Sequence, residues 1–391
     1  MNQHRLIFQW QISTAFGWGV YGLNLALHAA GQGFQVTTTS PVPLDRMALD
    51  AARLWALDGF IRRSQILTDA LRHRRDRVDA SEHIVLQPLG NQLKVAKHIE
   101  ATLIGKRNIG IAFFEDSALD AGGRRRGLAF DRVIAGSRWN AELLRAHGLD
   151  NVDLVWQGID PSLFHPAPRL GLFKGRFSIF SGGKLERRKG QDIVLEAFRL
   201  FHQRHPDALL VTAWHSPWSA QAARDVSAIP GVAAVPLNAI GEPDVRGWVE
   251  ASGLDAESVI DLGVVPNGQM PPLLREMDAA LFPNRCEGGT NLVAMEAMAC
   301  GVPVVLSANT GHLDLIEPGN SYPLHRQSAV KPVPGIGTDG WGESDPEEIV
   351  EALEAIYTDR QTAGKRAAAV AAQMAGLTWQ SQIGQLLKAV V

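Results

Sequence analysis

Between Phe282 and Val305 the chain reads Phe-Pro-Asn-Arg-Cys-Glu-Gly-Gly-Thr-Asn-Leu-Val-Ala-Met-Glu-Ala-Met-Ala-Cys-Gly-Val-Pro-Val-Val. This segment constrains the fold more than any other. An apolar run, Ala279–Pro283, reads as a strand, and Gly288-Gly289 as a flexible turn. A short helix begins near Thr290 and stops at Gly301 before Pro303, where Val302–Ser307 starts the next strand. A glycine turn feeding a helix start aims bare backbone N–H groups and the positive end of the helix dipole at one point. Such a point suits an anion, for instance a diphosphate. Glu287 before the turn and Glu296 on the helix can accept hydrogen bonds from hydroxyls on either side of that anion. A diphosphate flanked by hydroxyls describes a nucleotide sugar. The competing reading is an ordinary βα unit with two solvated glutamates.

The rest of the chain repeats this alternation of short apolar runs and longer helical patterns, which argues an α/β protein with mostly parallel sheets. In the first half the spacing predicts strands at Leu6–Gln11, Gln35–Thr39, Ile84–Pro88, Asn108–Phe114, Arg132–Ala135 and Asp153–Trp156, with helices at Tyr21–Ala30 and Trp139–His147. A proline-rich stretch, Asp160–Pro168, reads as a linker. Beyond it lie strands at Phe177–Ser181, Ala208–Ala213, Val259–Leu262, Ala279–Pro283 and Val302–Ser307. At 391 residues the chain calls for two domains, 1–168 and 169–376, each Rossmann-like, facing each other across a cleft. A net charge of −3 gives no reason to expect nucleic acid as a partner. Two cysteines, Cys286 and Cys300, argue against a disulfide framework and for reduced, cytoplasmic thiols. The N-terminus lacks the pattern of a signal peptide, and no run of about 18 apolar residues marks a membrane span.

The Phe282–Val305 segment resembles the donor-site signature of retaining GT-B glycosyltransferases of the family 4 type (glycosyl transferases group 1), Glu-x7-Glu followed by Ala-Met-Ala-x-Gly-x-Pro-Val-Val. Here Glu287 and Glu296 enclose eight residues. The extra one lies in the Gly288–Asn291 turn, before Leu292, so the helix register of Glu296 is kept and the turn that touches the sugar is reshaped. A second segment, Phe180–Phe198, resembles the family's Gly-Arg-Leu…Lys-Gly element, with Lys184 where arginine is usual and one residue fewer before Lys189. Two cations after a glycine turn can neutralise a diphosphate and stabilise it as a leaving group without a metal. Lysine keeps the charge but loses the bidentate fork; a solvated basic loop is the alternative, and Arg188 can replace Lys189 as the second contact.

The resemblance implies a GT-B architecture in which Leu377–Val391 crosses back to the first domain. It implies a metal-independent hexosyltransferase without a cofactor. Such an enzyme moves a sugar from a nucleotide sugar to the hydroxyl of a glycan, lipid-linked or small-molecule acceptor, with retention, in glycan, polysaccharide or glycolipid synthesis. Carried over by residue, Glu296 binds the ribose, Glu287 the sugar hydroxyls, and Lys184 with Lys189 the diphosphate. Gly183, Arg188, Asn267, Gly288, Gly289, Thr290, Asn291 and Leu292 line the donor.

Other elements are less specific. Gly17-Trp-Gly-Val-Tyr-Gly22 is a literal G-x-G-x-x-G between a strand and a helix, which taken alone suggests a dinucleotide site. The second strand ends in Thr-Thr-Ser without the carboxylate a NAD ribose requires, so Gly17 and Gly19 read instead as a close-approach loop at the cleft. Glu115 and Asp116 end a strand on its ligand-binding edge, where they can orient or deprotonate an acceptor or simply cap the strand. Trp214 or His215 can stack on a base, or Trp214 can be a packed aromatic. Arg62, Arg63, Arg72, Arg74, Arg75 and Arg77 lie among Phe60, Ile61, Ile66, Leu67 and Leu71. They form either a basic face for peripheral contact with anionic lipid or a solvated face over a core stripe. Arg124-Arg-Arg126 reads as an exposed loop. The alternatives to a glycosyltransferase are a NAD-dependent oxidoreductase and a catalytically silent GT-B partner protein.

Overall fold

The computed structural model describes residues 4–96, 99–333 and 335–391. The first half supplies β1 (His4–Phe8), β2 (Phe34–Thr38), β3 (Arg77–Leu89), β4 (Thr102–Ala112), β5 (Arg132–Ala135) and β6 (Val152–Leu154). The second supplies β7 (Phe177–Gly182), β8 (Ala208–Ala213), β9 (Val259–Asp261), β10 (Ala279–Phe282), β11 (Val304–Ser307) and β12 (Tyr322–Leu324). They form two six-stranded sheets, β2-β1-β3-β4-β5-β6 and β12-β11-β10-β7-β8-β9. Every ladder in both is parallel. Parallel sheets need cover on both faces, which explains strands that are apolar at nearly every position, such as Ala-Ala-Leu-Phe in β10.

β5 and β8 coincide with the strands read from the sequence, because each is an apolar run that follows an aspartate, Asp131 or Asp207. β3 and β4 are longer than expected. Their first halves are polar and partly exposed, with a register irregularity between Ala80 and Ile84, so only their buried ends carry an apolar signature.

In each sheet the chain reverses its direction of growth beside its first strand. β1 has β2 on one side and β3 on the other, and β7 has β8 on one side and β10 on the other. At such a switch point the connections leave in opposite directions and open a crevice beyond the carboxyl ends of the strands. The segments after β7 and β10 therefore start at the crevice of the second sheet.

The chain passes between the sheets twice, and the two crossings bond to each other. Ile159 N–H donates to Leu377 O (2.9 Å) and Trp379 N–H to Ile159 O (3.0 Å). Gly158 permits this, since a Cβ there would fall 2.4 Å from the Trp379 nitrogen. Helix Trp379–Val390 then adds Trp379, Ile383, Leu386, Leu387 and Val390 to the core of the first sheet. Leu292, at the start of helix Leu292–Ala299 of the second half, joins the same core.

Candidate functional site

The segment leaving β7 carries Lys184, Glu186, Arg188 and Lys189, and the segment leaving β10 carries Asn284 to Glu287. β7 and β10 are neighbours, so the two segments meet. The backbone amides of Arg285 (2.7 Å) and Cys286 (3.3 Å) donate to Arg188 O. Arg285 is fully buried, forks onto Asp192 (2.8 and 2.6 Å) and reaches Glu343 (3.2 Å), fixing one segment against the other.

Glu287 lies in this junction, 5% exposed. One carboxylate oxygen takes the Lys189 ammonium and the Asn284 amide, and the other takes Arg188 Nη1 at 3.2 Å. Its own N–H donates to Thr310 Oγ1 (2.8 Å). Burial pushes the carboxyl upward, but Lys189 and Arg188 outweigh it and hold Glu287 at about 2. Arg188 is shared further. It meets Glu186 at 2.7 Å and, across the cleft, Glu115 at 3.3 Å. Burial raises Glu115 above the usual carboxylate range against the pull of Arg188. Lys184 pairs with Glu186 (2.9 Å) and covers the ring of Trp218 at 4.7 Å. Its link to Lys189 runs through Glu186, whose carboxyl Arg188 and both lysines hold down against burial.

Glu296 lies about one turn into helix Leu292–Ala299, 3% exposed. Its only described polar contact is Asn267, whose Nδ2 donates at 2.5 Å, and burial pushes the carboxyl up to about 8. The Asn267 N–H donates to Thr14 O in the loop after β1, so this end of the site also spans the cleft. Beside it, Phe16 and His215 face each other with ring centroids 6.4 Å apart.

The Gly288–Asn291 turn differs from its expected form. Gly288 rests on the first half of the chain, where a Cβ would sit 2.5 Å from Phe114 O, and Ser137 Oγ donates to Gly288 O (2.7 Å). Gly289 lies against Phe113. The helix starts at Leu292 rather than near Thr290, because Asn291 takes a left-handed φ of 66° and caps it. His312 Nε2 accepts from Asn291 Nδ2 at 2.9 Å, and burial lowers His312 to about 4, which leaves it neutral. Thr290 turns its hydroxyl to Met295 Sδ (3.0 Å).

Other expected residues are also relocated. Gly17 and Gly19 begin helix Gly17–Ala29 instead of forming a loop. Gly19 serves close packing, since a Cβ would strike Ser13 at 2.3 Å, while Gly17 borders open space. Trp214 is a core residue, 1% exposed, with its indole N–H on Ser181 Oγ (3.1 Å), so neither ring face meets a ligand. Asp116 accepts from Gln92, Ala118 N–H and Gly337 N–H at 2.7–3.0 Å, which makes it the anchor of a strap rather than a free base. That strap, 335–342, also places Trp341 Nε1 on Glu115 O (3.0 Å). Gly183, at φ 124°, lets the chain turn beside Lys189. Asn284, Arg285, Thr310 and His312 were not singled out by sequence. The arginine face is charge-paired: Arg62 with Asp58, Arg72 with Asp69, Arg74 with Asp76, Arg75 with Glu100. Arg124–Arg126 lie in helix Ala121–Leu128 rather than a loop. Among the described residues no helix is long and apolar enough to cross a membrane.

Comparison with known proteins agrees with this geometry. The family described as "Family 4 Glycosyltransferase in conflict systems" matches residues 267–386. A D-inositol 3-phosphate glycosyltransferase of Arthrobacter sp. (strain FB24) is 28% identical over 258 residues, 64% of this chain and 52% of that protein. Its counterpart in Thermobifida fusca (strain YX) is 24% identical over 272 residues, 66% of this chain and 54% of that protein. The chain spans about half the length of the curated relatives it matches. Among solved structures, Anabaena HepE in complex with UDP and glucose superposes with a TM-score of 0.65 over 99% of both chains at 15% identity. Sucrose-phosphate synthase from Thermosynechococcus elongatus gives 0.62 over 98% of both, also at 15%. Two parallel Rossmann-like sheets joined by a paired crossing are the GT-B fold, and residues 267–386 are similar to family 4 glycosyltransferases.

Proposed function

We propose that this chain transfers a sugar from a nucleoside diphosphate sugar to an acceptor hydroxyl with retention of anomeric configuration. The observation that carries the reading is the meeting of Arg188, Lys189 and Glu287 at the β7/β10 switch point, with Glu296 buried on the adjoining helix. Two cations at the carboxyl edge of a parallel sheet match a diphosphate, and carboxyls on either side match its ribose and its sugar. Solved structures of HepE with UDP and with UDP-glucose support a nucleotide sugar as donor. The names of the curated relatives support a hydroxyl acceptor.

In this reading Arg188 and Lys189 stabilise the charge that grows on the leaving diphosphate, an effect strongest in the transition state. Glu296 accepts from the ribose hydroxyls. Glu115 reaches Arg188 from the opposite side of the cleft, so it stands where an acceptor hydroxyl is oriented, and the departing phosphate takes the acceptor proton. No protein nucleophile and no metal is required, and a reduced, cytosolic setting fits the two buried free cysteines.

Incubation of the purified protein with UDP-, GDP- and ADP-sugars, followed by NMR of the anomeric proton, tests this. Turnover of one donor with the anomeric configuration kept is expected. Inversion, or no donor turnover with or without simple polyol acceptors, would overturn it.

A further inference from the structure

The cluster around Arg188 balances its own charges. Three cations, Lys184, Arg188 and Lys189, meet three carboxylates, Glu115, Glu186 and Glu287, in one connected chain of ion pairs. A diphosphate entering here meets a neutral, half-buried group, not an open pair of cations. It can bind strongly only by displacing a carboxylate, because adding its charge beside Glu287 would set like charges together in a poorly solvated place.

Glu287 is the carboxylate placed to leave. It alone contacts both Lys189 and Arg188, the two cations buried nearest the β10 end. Glu186 has Lys184 as a second partner, and Glu115 belongs to the other half of the chain. The backbone of Glu287 is held on both sides, its N–H by Thr310 Oγ1 and its carbonyl by the Gly311 N–H, so the carboxylate leaves by side-chain rotation alone.

Resting on the donor reading above, we propose that Glu287 is a resident anion that discriminates donors. In the free protein its carboxylate fills the seat of the diphosphate. When a diphosphate takes Lys189 and Arg188, the released carboxylate turns to the hydroxyls of the sugar attached to that diphosphate. Sugar contact thereby becomes conditional on an anion strong enough to displace Glu287 from both cations: the diphosphate of a nucleotide sugar carries two negative charges against its one, and the phosphodiester of a nucleoside monophosphate sugar carries only one. The site is selective for nucleoside diphosphate donors over nucleoside monophosphate sugars.

The test is calorimetric titration of the full chain with UDP, uridine and inorganic pyrophosphate, in the wild type and in Glu287→Gln. The variant is expected to bind UDP and pyrophosphate about tenfold tighter, the gain from removing one competing ion pair, with uridine nearly unchanged and donor turnover slower. In the wild type itself, the carboxylate carbon signal of Glu287 should move on titration with pyrophosphate, which keeps the proposal testable if the variant does not fold. Unchanged or weaker UDP binding by a folded Glu287→Gln, or a stationary Glu287 signal in a pyrophosphate-bound wild type, would overturn it. If the wild type binds none of UDP, GDP, ADP or pyrophosphate, the donor reading fails and this inference with it. Normal wild-type binding without a gain in the variant sinks the inference alone.

Discussion

Glu287 and Glu296 stand on the same βα unit, are buried to similar depth at 5% and 3% exposed, and differ in charge. Burial penalises the ionised form of both. Opposite Glu287 stand two cations, Lys189 and Arg188, and they carry its carboxyl down to about 2. Opposite Glu296 stands only the neutral amide of Asn267, and its carboxyl rises to about 8. Charge here is set by what faces the group, not by depth. The contrast assigns work: a charged glutamate already engaged to cations at the diphosphate end, and a neutral one waiting for hydroxyls at the ribose end.

Removing Lys189 should break the contrast most severely. Lys189→Ala leaves Glu287 buried with half its compensation, and a loss of about 3–5 kcal/mol in urea unfolding is expected. Turnover should fall roughly 10²–10³-fold, with a smaller change in donor KM, because the charge it meets grows in the transition state. Unchanged kinetics would remove Lys189 from the site.

The two glutamates should next separate by pH. Glu296 is raised when folded, so between about 4.5 and about 8 the folded protein holds a proton that the unfolded chain has released, and stability falls as pH rises through that window. Glu287 is depressed, so its contribution is present above about 4.5 and is lost as pH falls toward about 2. Glu296→Gln should therefore gain on the wild type between pH 5 and pH 9, by on the order of 1–3 kcal/mol in thermal or urea unfolding. The same variant should bind UDP more weakly, roughly tenfold, because ribose hydroxyls donating to Glu296 favour its ionised form and glutamine offers no charged acceptor. A pH-independent stability difference would contradict the neutral state of Glu296, and full retention of UDP affinity would contradict the ribose role.

Asn267→Ala removes only a neutral donor from Glu296 and should cost about 1 kcal/mol, far less than Lys189→Ala; equal costs would erase the distinction between the two ends. The smallest expected effect is that of EDTA, which should leave donor turnover intact. Strict dependence on added Mn²⁺ or Mg²⁺ would mean that Lys189 and Arg188 do not neutralise the diphosphate by themselves.

What could be read from the chain follows the same physics. Apolar runs that follow an aspartate, such as Arg132–Ala135 and Ala208–Ala213, appear in the fold as read, because burial on both sheet faces leaves one solution. The polar start of β3 carried no such mark. The glycines at Gly19 and Gly22 signal close approach correctly, while Gly17 borders open space, and the signal does not distinguish a loop from the first turns of a helix. At the site, the motif located Glu287, Glu296 and Lys189, whereas charge pairing decided how they are used. Arg285 and His312 could not be found by spacing, since their partners Asp192 and Asn291 are brought to them only by the fold, and Asn284, though three residues from Glu287, lies in a turn whose shape the spacing does not give. Trp214 and Asp116 carry chemistry that suits a site, and the fold spends it on packing and on a strap.

The central claim is that the Arg188–Lys189 pair receives the diphosphate of a nucleotide sugar. Calorimetric titration of the wild type and Lys189→Ala with UDP-, GDP- and ADP-sugars and with NAD tests it most directly. Saturable binding of one nucleoside diphosphate sugar class by the wild type, weakened in Lys189→Ala, and none of NAD, is the predicted result. Tight binding of NAD with no response to any nucleotide sugar would contradict it.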